Sequence, residues 1–458
     1  MAFDPLTAVH RFGMGPSPLH ALPRRATDLL EEAAAGDPFA DTHPFTTTAD
    51  IVSTEGTFRD ARGIAAKNAG TVTGDAAKEL SREMIRDMRD QSFGDFRALI
   101  VRHVGQPLGL GERLVTFWTD HFTVVGMGGI GQYGGAAYSA DAIRPYIAGS
   151  FAEMAKAVIR APLMLVYLDQ ILSTGPNSVT GKRRAGRGIN ENLARELLEL
   201  HTLGVGGPYD QRDVRELAAL LTGLSTQRGE GFRWRPGIVE PGPETVLGRV
   251  YAGDDLSAID AAIEDLARHP STARHLAHKL AVHFVSDAPP EALIRHMAAR
   301  YVASDGDLGA LSAAMLEHPA AWDPARVNVK WPVDYMSSAL RALGLTPERM
   351  ARTSLKDVRN LLLNPMGRMG QRWERAPDPA GWEEADFAWI TPQAVAERVN
   401  WAMRAPVRLT QALPDPRDLL GLIAGDTAPG ELSFAISAAQ DRREGVGLVL
   451  ASPSFQRR

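Results

Sequence analysis

The sequence has no cysteine among its 458 residues. This absence excludes disulfide bonds, thiolate nucleophiles, cysteine zinc sites and cysteine-bound iron–sulfur clusters. The sequence also lacks any run of eighteen apolar residues, so no membrane-spanning helix is predicted. Its first residues, MAFDPLTAVHRFGMGPSP, have neither the basic nor the apolar region of a signal peptide. We therefore expect a cytoplasmic protein, unless a leader has been removed.

The sequence also lacks a large excess of either positive or negative charge. The net charge is −5 at pH 7, and acidic and basic residues alternate along the chain. Proteins that bind nucleic acid normally present a concentrated basic face, so no nucleic acid partner is expected. A hydrophobic fraction of 44% with 23% charged residues is ordinary for a globular protein and predicts a sizeable core.

Helical periodicity dominates the sequence. Apolar residues recur at helical spacing in most segments, and neither a domain boundary nor an internal repeat is evident. In residues 225–252, however, the segments FRWRP and TVLGRVY alternate between apolar and polar residues and are flanked by Gly and Pro. We predict a mainly α protein, a large multi-helix globular domain spanning residues 1–458, with a minor β-hairpin near 230–250.

Within this domain, Pro, Gly and His are concentrated in residues 1–22, which predicts an extended N-terminal arm rather than a helix. Residues 36–75 include three consecutive threonines and are predicted to be a long irregular connection. After them, AAKELSREMIRDMRD and FRALIVRHV are predicted to be two helices that pack as a pair. Further loops on which a binding surface can form are predicted at 126–139, 170–189 and 364–392.

The most unusual stretch is residues 190–223, NENLARELLELHTLGVGGPYDQRDVRELAALLTG. Asn190 is predicted to cap its first helix, and Gly204 to end that helix in the left-handed conformation. Asp210 is predicted to cap a second helix through a capping box with Asp213. The first helix combines an apolar stripe with a dense polar face, which a surface helix rarely needs.

On this first helix, Arg195 is four residues from both Glu191 and Glu199, so its guanidinium can lie between two carboxylates. Glu196 extends the polar face. One interpretation is a structural cap and ion-pair ladder, and the other is a polar site that binds a ligand. For the second, a carboxylate and an imidazole suit general acid–base chemistry. The candidate catalytic residues are therefore Glu196, Glu199, Arg195 and His121.

Histidines supply weak candidates for a metal site. His121 lies on an aromatic helix face, where a satisfied core histidine is the other interpretation. His201 points away from the carboxylates of its own helix, so a metal site needs ligands from elsewhere in the chain. Lys279 lies between His275 and His283 without the glutamate of an H-E-x-x-H motif, and its charge would repel a cation. A divalent metal stays an open alternative, with His121, His201 and His283 as candidate ligands.

Two loops carry apparent motifs. Gly126, Gly128 and Gly131 form a literal G-x-G-x-x-G, but a helix precedes it, more glycines follow and parallel strands are missing. We expect a flexible loop that can act as a lid, and no nucleotide cofactor. The loop at 170–189 carries a basic cluster, which is interpreted either as a solvated loop or as an anion-binding flap. The members of this cluster are Lys182, Arg183, Arg184 and Arg187.

NENLARELLELHTLGVGG, followed by Y-x-Q-x-D-V and L-T-G, resembles the signature of the bacterial family called domain of unknown function 1800. The resemblance continues in HRFGMGP at 10–16, FWTDHF at 117–122 and the closing LASPSFQRR, and so covers nearly the whole chain. It implies no established activity. It does imply that some relatives are exported, and that a protein of the family called domain of unknown function 1501, often encoded beside these genes, is a candidate partner. The family often has His and Lys where this chain has Val239 and Glu244.

The sequence therefore supports two hypotheses. The first is an enzyme, with hydrolysis, metal-assisted or not, as the least specific reaction class, and with its polar site on the central stretch. The second is a helical binding or maturation partner without chemistry, in which the same residues form a buried polar network. Gly-rich loops that flank a charged helix favour the first. The lack of a nucleophile–base or metal-spacing motif favours the second.

Overall fold

The computed structural model describes residues 3–126, 128–183 and 188–458. The fold is mainly α-helical, as predicted. Three helical turns are π-helical: Ala8–Phe12, Leu197–His201 and Val358–Leu363. The α-helices are Pro5–Thr7, Ala26–Ala34, Thr48–Lys67, Val72–Gly105, Leu110–His121, Gly135–Ala142, Phe151–Arg160, Pro162–Tyr167, Asn192–Glu196, Gln211–Leu220, Leu256–Arg268, Pro270–Phe284, Glu291–Ala303, Leu308–Glu317, Pro332–Ala342, Pro347–Ala351, Leu355–Asp357, Asn364–Arg368, Pro392–Arg404, Pro406–Leu409, Pro416–Ala424, Gly430–Ser437, Arg442–Ala451 and Pro453–Gln456.

The β structure consists of two short antiparallel hairpins in the part of the chain that the structure describes. Strand β1 (Leu224–Gln227) pairs with β2 (Gly231–Trp234). Strand β3 (Glu244–Val246) pairs with β4 (Arg249–Tyr251). The predicted minor hairpin near 230–250 is therefore confirmed, and a second one accompanies it.

Two large hydrophobic clusters form the interior. Trp118 and Leu280 belong to the first cluster, which is built from the first two thirds of the chain. Val101 belongs to the second, which joins the end of helix Val72–Gly105 to the C-terminal third. Charged side chains cross the junction between the two clusters: Arg113, on a helix of the first, donates to Asp334, on a helix of the second.

Residues 36–75 are not an irregular connection, contrary to prediction, because they contain helix Thr48–Lys67. The helix begins at a capping box in which the hydroxyl oxygen of Thr47 accepts from the backbone N–H of Asp50 at 3.1 Å. The threonines that suggested a loop therefore include the cap of a helix. Its buried face includes Phe58.

The two helices predicted after residue 75 are one continuous helix, Val72–Gly105, which we call the long helix. A glycine inside a helix costs only about 1 kcal/mol relative to alanine, so Gly94 does not end it. Asp95, the next residue, accepts from the backbone N–H of Thr46 at 2.9 Å and ties the middle of the long helix to the preceding segment. No helix in the described ranges, this one included, is both long enough and apolar enough to cross a membrane.

The N-terminal arm also differs from the prediction of an extended segment. Pro5–Thr7 and Ala8–Phe12 are helical, and all residues of the second turn are buried. The imidazole Nε2 of His10 lies 2.8 Å from the carbonyl oxygen of Ile423, near the other end of the chain. Residues 13–22 are irregular. Burial against the body of the protein, which local composition cannot report, stabilises these helical turns.

Candidate functional site

The central helix consists of Asn192–Glu196 followed by the π-helical turn Leu197–His201. Gly204 follows with φ +87°, which confirms the left-handed ending. Asp210 and Asp213 form the predicted capping box at the start of the next helix. π-Helical turns are rare and occur often at functional sites, so the geometry of this turn directs attention to the side chains around it.

The polar face of the central helix is a partly exposed ladder. Arg195 donates to Glu191 at 3.0 Å and to Glu199 at 3.5 Å, so its guanidinium lies between two carboxylates, as the spacing predicted. Gln211, from the following helix, donates to Glu191 at 2.8 Å. The side chain of Arg195 is 39% exposed. Pairs that face water in this way contribute about 0–1 kcal/mol each to stability.

Glu196 lies beside this ladder but takes no part in it. Its carboxylate makes no ion pair with the residues that the structure describes. Partial burial raises the pKa of Glu196, and the nearby charges of Glu199 and Asp378 raise it further. Among the described residues, Glu196 is therefore a half-buried carboxylate without an ion-pair partner.

The central helix brings two predicted histidines together and adds a third. His121 Nε2 lies 3.1 Å from the carbonyl oxygen of His201, and the two ring centres are 6.0 Å apart. His275 Nε2 lies 2.9 Å from the carbonyl oxygen of Leu200. A nitrogen that faces a carbonyl must carry the proton, so the Nδ1 atoms of His121 and His275 are acceptors.

All three imidazoles are neutral at physiological pH. Burial lowers the pKa of His201 to about 3 and that of His275 to about 4, and the positive charge of Lys279 acts in the same direction. Burial likewise lowers the pKa of His121 well below its usual value. Neutral imidazoles can bind metals, yet no group of three or more His, Asp or Glu side chains in the described part of the chain is arranged to hold an ion.

His283 lies apart from those histidines and has both ring nitrogens occupied. Its Nε2 lies 2.8 Å from a guanidinium nitrogen of Arg113, and its Nδ1 lies 2.9 Å from Glu384. Because a guanidinium only donates, Nε2 must accept, and Nδ1 donates to the carboxylate. Arg113 and Arg458 both donate to Asp334, beside this pair. His283 is thus one member of a buried chain of charged groups.

Lys279, one turn before His283, carries a charge that acts on several titratable groups of this part of the fold. Its charge lowers the pKa of Asp120, of Glu384 and of His201. Its own pKa is lowered by burial, although the side chain keeps partial access to solvent. Within the described ranges its amine makes neither an ion pair nor a hydrogen bond at ordinary distances.

Asp120 lies in the last turn of the aromatic helix Leu110–His121, and its carboxyl group is one of those on which Lys279 acts. Its Oδ1 accepts from the backbone N–H of Trp382 at 2.9 Å. Burial raises the pKa of Asp120 to about 8, and the charge of Glu384 adds to the rise. Burial also raises the pKa of Glu384 to about 7. Trp382 and Glu384 both belong to residues 370–391, which we call the covering loop because it lies over Asp120.

A cavity of about 150 Å³ opens beside Asp120, and we call it the Asp120 cavity. Four aromatic side chains contribute to its walls: Trp331, Trp373, Trp382 and Tyr138. Flat aromatic walls favour a ring-shaped ligand that stacks on them. Asp120 therefore lines a ligand-sized space, and the charge of Lys279 lowers the pKa of its carboxyl group.

Glu374 gives the Asp120 cavity a second carboxyl group. Its carboxylate accepts from the backbone N–H of Ala136 at 2.6 Å, at the start of helix Gly135–Ala142. Burial raises the pKa of Glu374 to about 8. Its backbone has φ +54°, a strained conformation of the kind found at functional sites. At neutral pH the cavity is thus lined by two largely protonated carboxyl groups.

Gly126 and Gly128 of the glycine motif lie in irregular structure, in agreement with the predicted loop, while residue 127 lies outside the described residues. The motif follows helix Leu110–His121 rather than a strand, and Gly131–Tyr133 forms a short 3-10 turn. The backbone N–H of Ile130 donates to Glu55 at 2.8 Å and fixes the loop to helix Thr48–Lys67. The loop therefore offers none of the strand–turn–helix geometry of a dinucleotide site.

The basic loop and the two positions that depart from the family pattern lie elsewhere. Arg184 and Arg187 fall outside the described residues, while Lys182 and Arg183 are exposed on a 3-10 turn. Glu244, on β3, is buried, and burial with the charge of Glu216 raises its pKa to about 7. None of these lines the Asp120 cavity in the part of the chain described.

Sequence reasoning did not select Asp120 as a site residue, named Lys279 only as a repulsive charge, and missed Glu384. No local signal was available for Glu384, because it lies in a Pro- and Gly-rich loop without periodicity. The comparisons with known proteins add one finding. A family model described as "Protein of unknown function (DUF1800)" matches residues 7–457. Neither a curated protein nor a solved structure matches the chain.

Proposed function

Since the chain belongs to the DUF1800 family, whose description names no activity, we propose from the geometry that it is an enzyme with its active site at the Asp120 cavity. The reaction class is general acid–base catalysis, with hydrolysis as its form. Asp120 is the proton donor, and Lys279 and Glu384 set its protonation state. The ligand is an uncharged, ring-sized group that stacks on the tryptophans of the cavity.

One observation carries this proposal: the charge of Lys279 acts on two carboxyl groups from other segments, Asp120 and Glu384, yet its amine forms no ion pair among the described residues. A buried charge is costly unless it is paired, so a structural lysine would normally have a carboxylate in contact. Titratable groups held in this way, with displaced pKa values and beside a cavity, are typical of active sites.

The chemistry follows from the protonation states. With a pKa of about 8, Asp120 is largely protonated at neutral pH and can donate a proton to a leaving group in the cavity. Water then adds its hydroxyl to the cleaved group and returns its remaining proton to the Asp120 carboxylate, whose transient charge the positive charge of Lys279 stabilises. The carboxyl group of Glu374, also protonated, can donate a hydrogen bond to the ligand. The aromatic walls limit the access of water, which strengthens these interactions.

In this proposal, the residues that the sequence suggested as catalytic bind the ligand or position the central helix, and they do not take part in the chemical step. Glu196, which makes no ion pair with the described residues, is proposed to bind polar groups of the ligand. Arg195 and Glu199 fix the central helix through their ladder. His121, whose Nε2 donates to the carbonyl of His201, positions the π-helical turn.

A panel of chromogenic esters, amides, glycosides and phosphate esters tests the proposal. We expect the wild type to hydrolyse at least one class, and Asp120→Asn to lose at least a hundredfold in kcat while remaining folded. Asp87→Asn, on the exposed face of the long helix, is the matched control and should keep full activity. Equal loss in both variants, or undiminished activity in Asp120→Asn, would contradict the assignment.

The alternative is a helical binding or maturation partner of a protein of the domain of unknown function 1501 family. A stable complex with such a protein on size-exclusion chromatography, together with no activity on the panel, would favour it. The metal-assisted form of the enzyme hypothesis has its own measurement, elemental analysis of the wild type and of Glu199→Gln. Near one equivalent of a transition metal that disappears in the variant would place a ligand on the central helix.

A further inference from the structure

A second cavity, of about 260 Å³, lies away from the titratable groups of the Asp120 cavity. Its walls come from helix Thr48–Lys67, the glycine loop that includes Gly128 and Gly131, helix Gly135–Ala142 and the turn between β1 and β2. We call it the glycine-walled cavity. Residues from helices Phe151–Arg160 and Pro162–Tyr167 and from the turn Gln170–Leu172 complete the lining.

The walls of this cavity are small and apolar. Ala157, Ala161, Leu163 and Val166 line one side. On the other side, a Cβ atom added at Gly131 would meet no atom within 4 Å. A close-packed interior normally fills such space with larger side chains, so the small residues keep a volume open that the protein does not itself occupy.

Four of the five charged side chains at the rim are paired within the protein. Glu55 pairs with Arg59 at 2.5 Å, and Arg228 pairs with Asp60 at 2.6 Å. Arg160 donates to a carboxylate of the neighbouring helix Leu256–Arg268. Asp141, the fifth, makes no ion pair with the residues that the structure describes. The four paired groups require no compensating charge from a ligand, so recognition along the walls depends on apolar contact.

We propose that the glycine-walled cavity binds an uncharged apolar ligand, an aromatic group of about two rings or an acyl chain of similar volume. A dry cavity of about 150 Å³ in another protein accepts benzene, and the volume here is larger. This site is separate from the proposed active site. Tyr138 lines both cavities and stands between them, with its hydroxyl donating to the carbonyl of Phe122 at 2.8 Å.

The probe for this site is N-phenyl-1-naphthylamine. This uncharged fluorophore consists of a naphthalene and a phenyl ring joined through nitrogen, and its emission rises in apolar surroundings. We expect saturable binding with one site per chain. Ala157→Phe, which places a ring inside the cavity, should weaken this binding at least tenfold. Val166→Phe fills the same space from a different helix and provides a second variant in case the first does not fold.

Two controls separate this site from other sites. Ala303→Phe adds the same ring at an exposed alanine on helix Glu291–Ala303 and should leave binding unchanged. Thr116→Phe fills the Asp120 cavity and should also leave binding unchanged. Absence of saturable binding, retained binding in both folded cavity-filling variants, or loss of binding in Thr116→Phe would overturn the proposal. Each outcome is independent of catalytic activity.

Discussion

The backbone N–H of Trp382 donates to Oδ1 of Asp120 at 2.9 Å, across 262 positions of sequence. This bond holds the covering loop against the end of helix Leu110–His121. It also gives the carboxyl group of Asp120 a fixed hydrogen-bond donor, while the charge of Lys279 favours its ionised form. The protonation of Asp120 and the position of the covering loop are therefore coupled, since ionisation strengthens the bond from Trp382.

Gly381→Ala should displace the covering loop. A Cβ at this position would lie 2.4 Å from Oδ2 of Asp120, and φ is +93°, which a residue with a side chain rarely adopts. We expect a loss of stability of about 1–3 kcal/mol and a change in any ligand binding at the Asp120 cavity. Urea unfolding and ligand titration measure the two effects. Gly63→Ala is the control, because this exposed helical glycine has nothing within 4 Å, and stability there should rise slightly.

Asp120→Asn should become more stable relative to the wild type as pH rises. The usual pKa of an aspartate is 3.8, and burial raises the pKa of Asp120 to about 8. Between these values the folded wild type holds a proton that the unfolded chain releases, so its stability falls with increasing pH. Asparagine does not ionise and keeps an acceptor for Trp382. The variant should gain on the order of 5 kcal/mol relative to the wild type between pH 4 and pH 8, as measured by denaturant unfolding. A difference that does not vary with pH would contradict the raised pKa.

Asp334→Asn should have the opposite dependence on pH. Arg113 and Arg458 hold the pKa of Asp334 well below its usual range, so its charge stabilises the folded state. This contribution is complete above about pH 4 and is lost as pH falls further. At neutral pH we expect a loss of about 3–5 kcal/mol, because two buried guanidinium groups lose their carboxylate. The difference between variant and wild type should shrink in acid, which thermal unfolding at pH 7 and below pH 4 can measure.

Glu199→Gln should leave the fold almost unchanged. The carboxylate is partly exposed and accepts from Arg195 at 3.5 Å, so its loss should cost about 1 kcal/mol or less. If Glu199 acts directly in the reaction, as the sequence pattern suggested, activity should disappear at an unchanged melting temperature. If it only holds the central helix, activity should remain, as the positioning role proposed above requires. A lower melting temperature with activity retained would exclude a direct role.

Lys279→Met should shift the pH–rate profile of the proposed activity to higher pH. The Lys279 charge lowers the pKa of both Asp120 and Glu384, so its removal lets these values rise. Because Asp120 acts in its protonated form, the alkaline limb of the profile should move upward by about one pH unit. Lys78→Met, at an exposed position of the long helix, should leave the profile unchanged. A decrease in rate without any shift would mean that Lys279 has a structural role only.

The sequence predicted those features that depend on residues close to each other along the chain. The bond from Arg195 to Glu191 and the left-handed Gly204 both follow from spacing within one or two turns. Helix Thr48–Lys67 was missed because its cap consists of residues that also favour loops. Asp120 and Glu384 meet only through tertiary folding, and no pattern in either segment refers to the other. Burial, which gives these two groups their displaced pKa values, is likewise a property of the whole fold.

Three of the eight tryptophans in the chain, Trp331, Trp373 and Trp382, line the Asp120 cavity. Indole emission responds to the polarity of its surroundings and to nearby proton donors. The protein therefore contains its own optical reporter at this cavity. Libraries of small molecules can be screened by intrinsic fluorescence before any substrate is known, and replacing each of the three indoles by phenylalanine would identify the wall on which a ligand stacks.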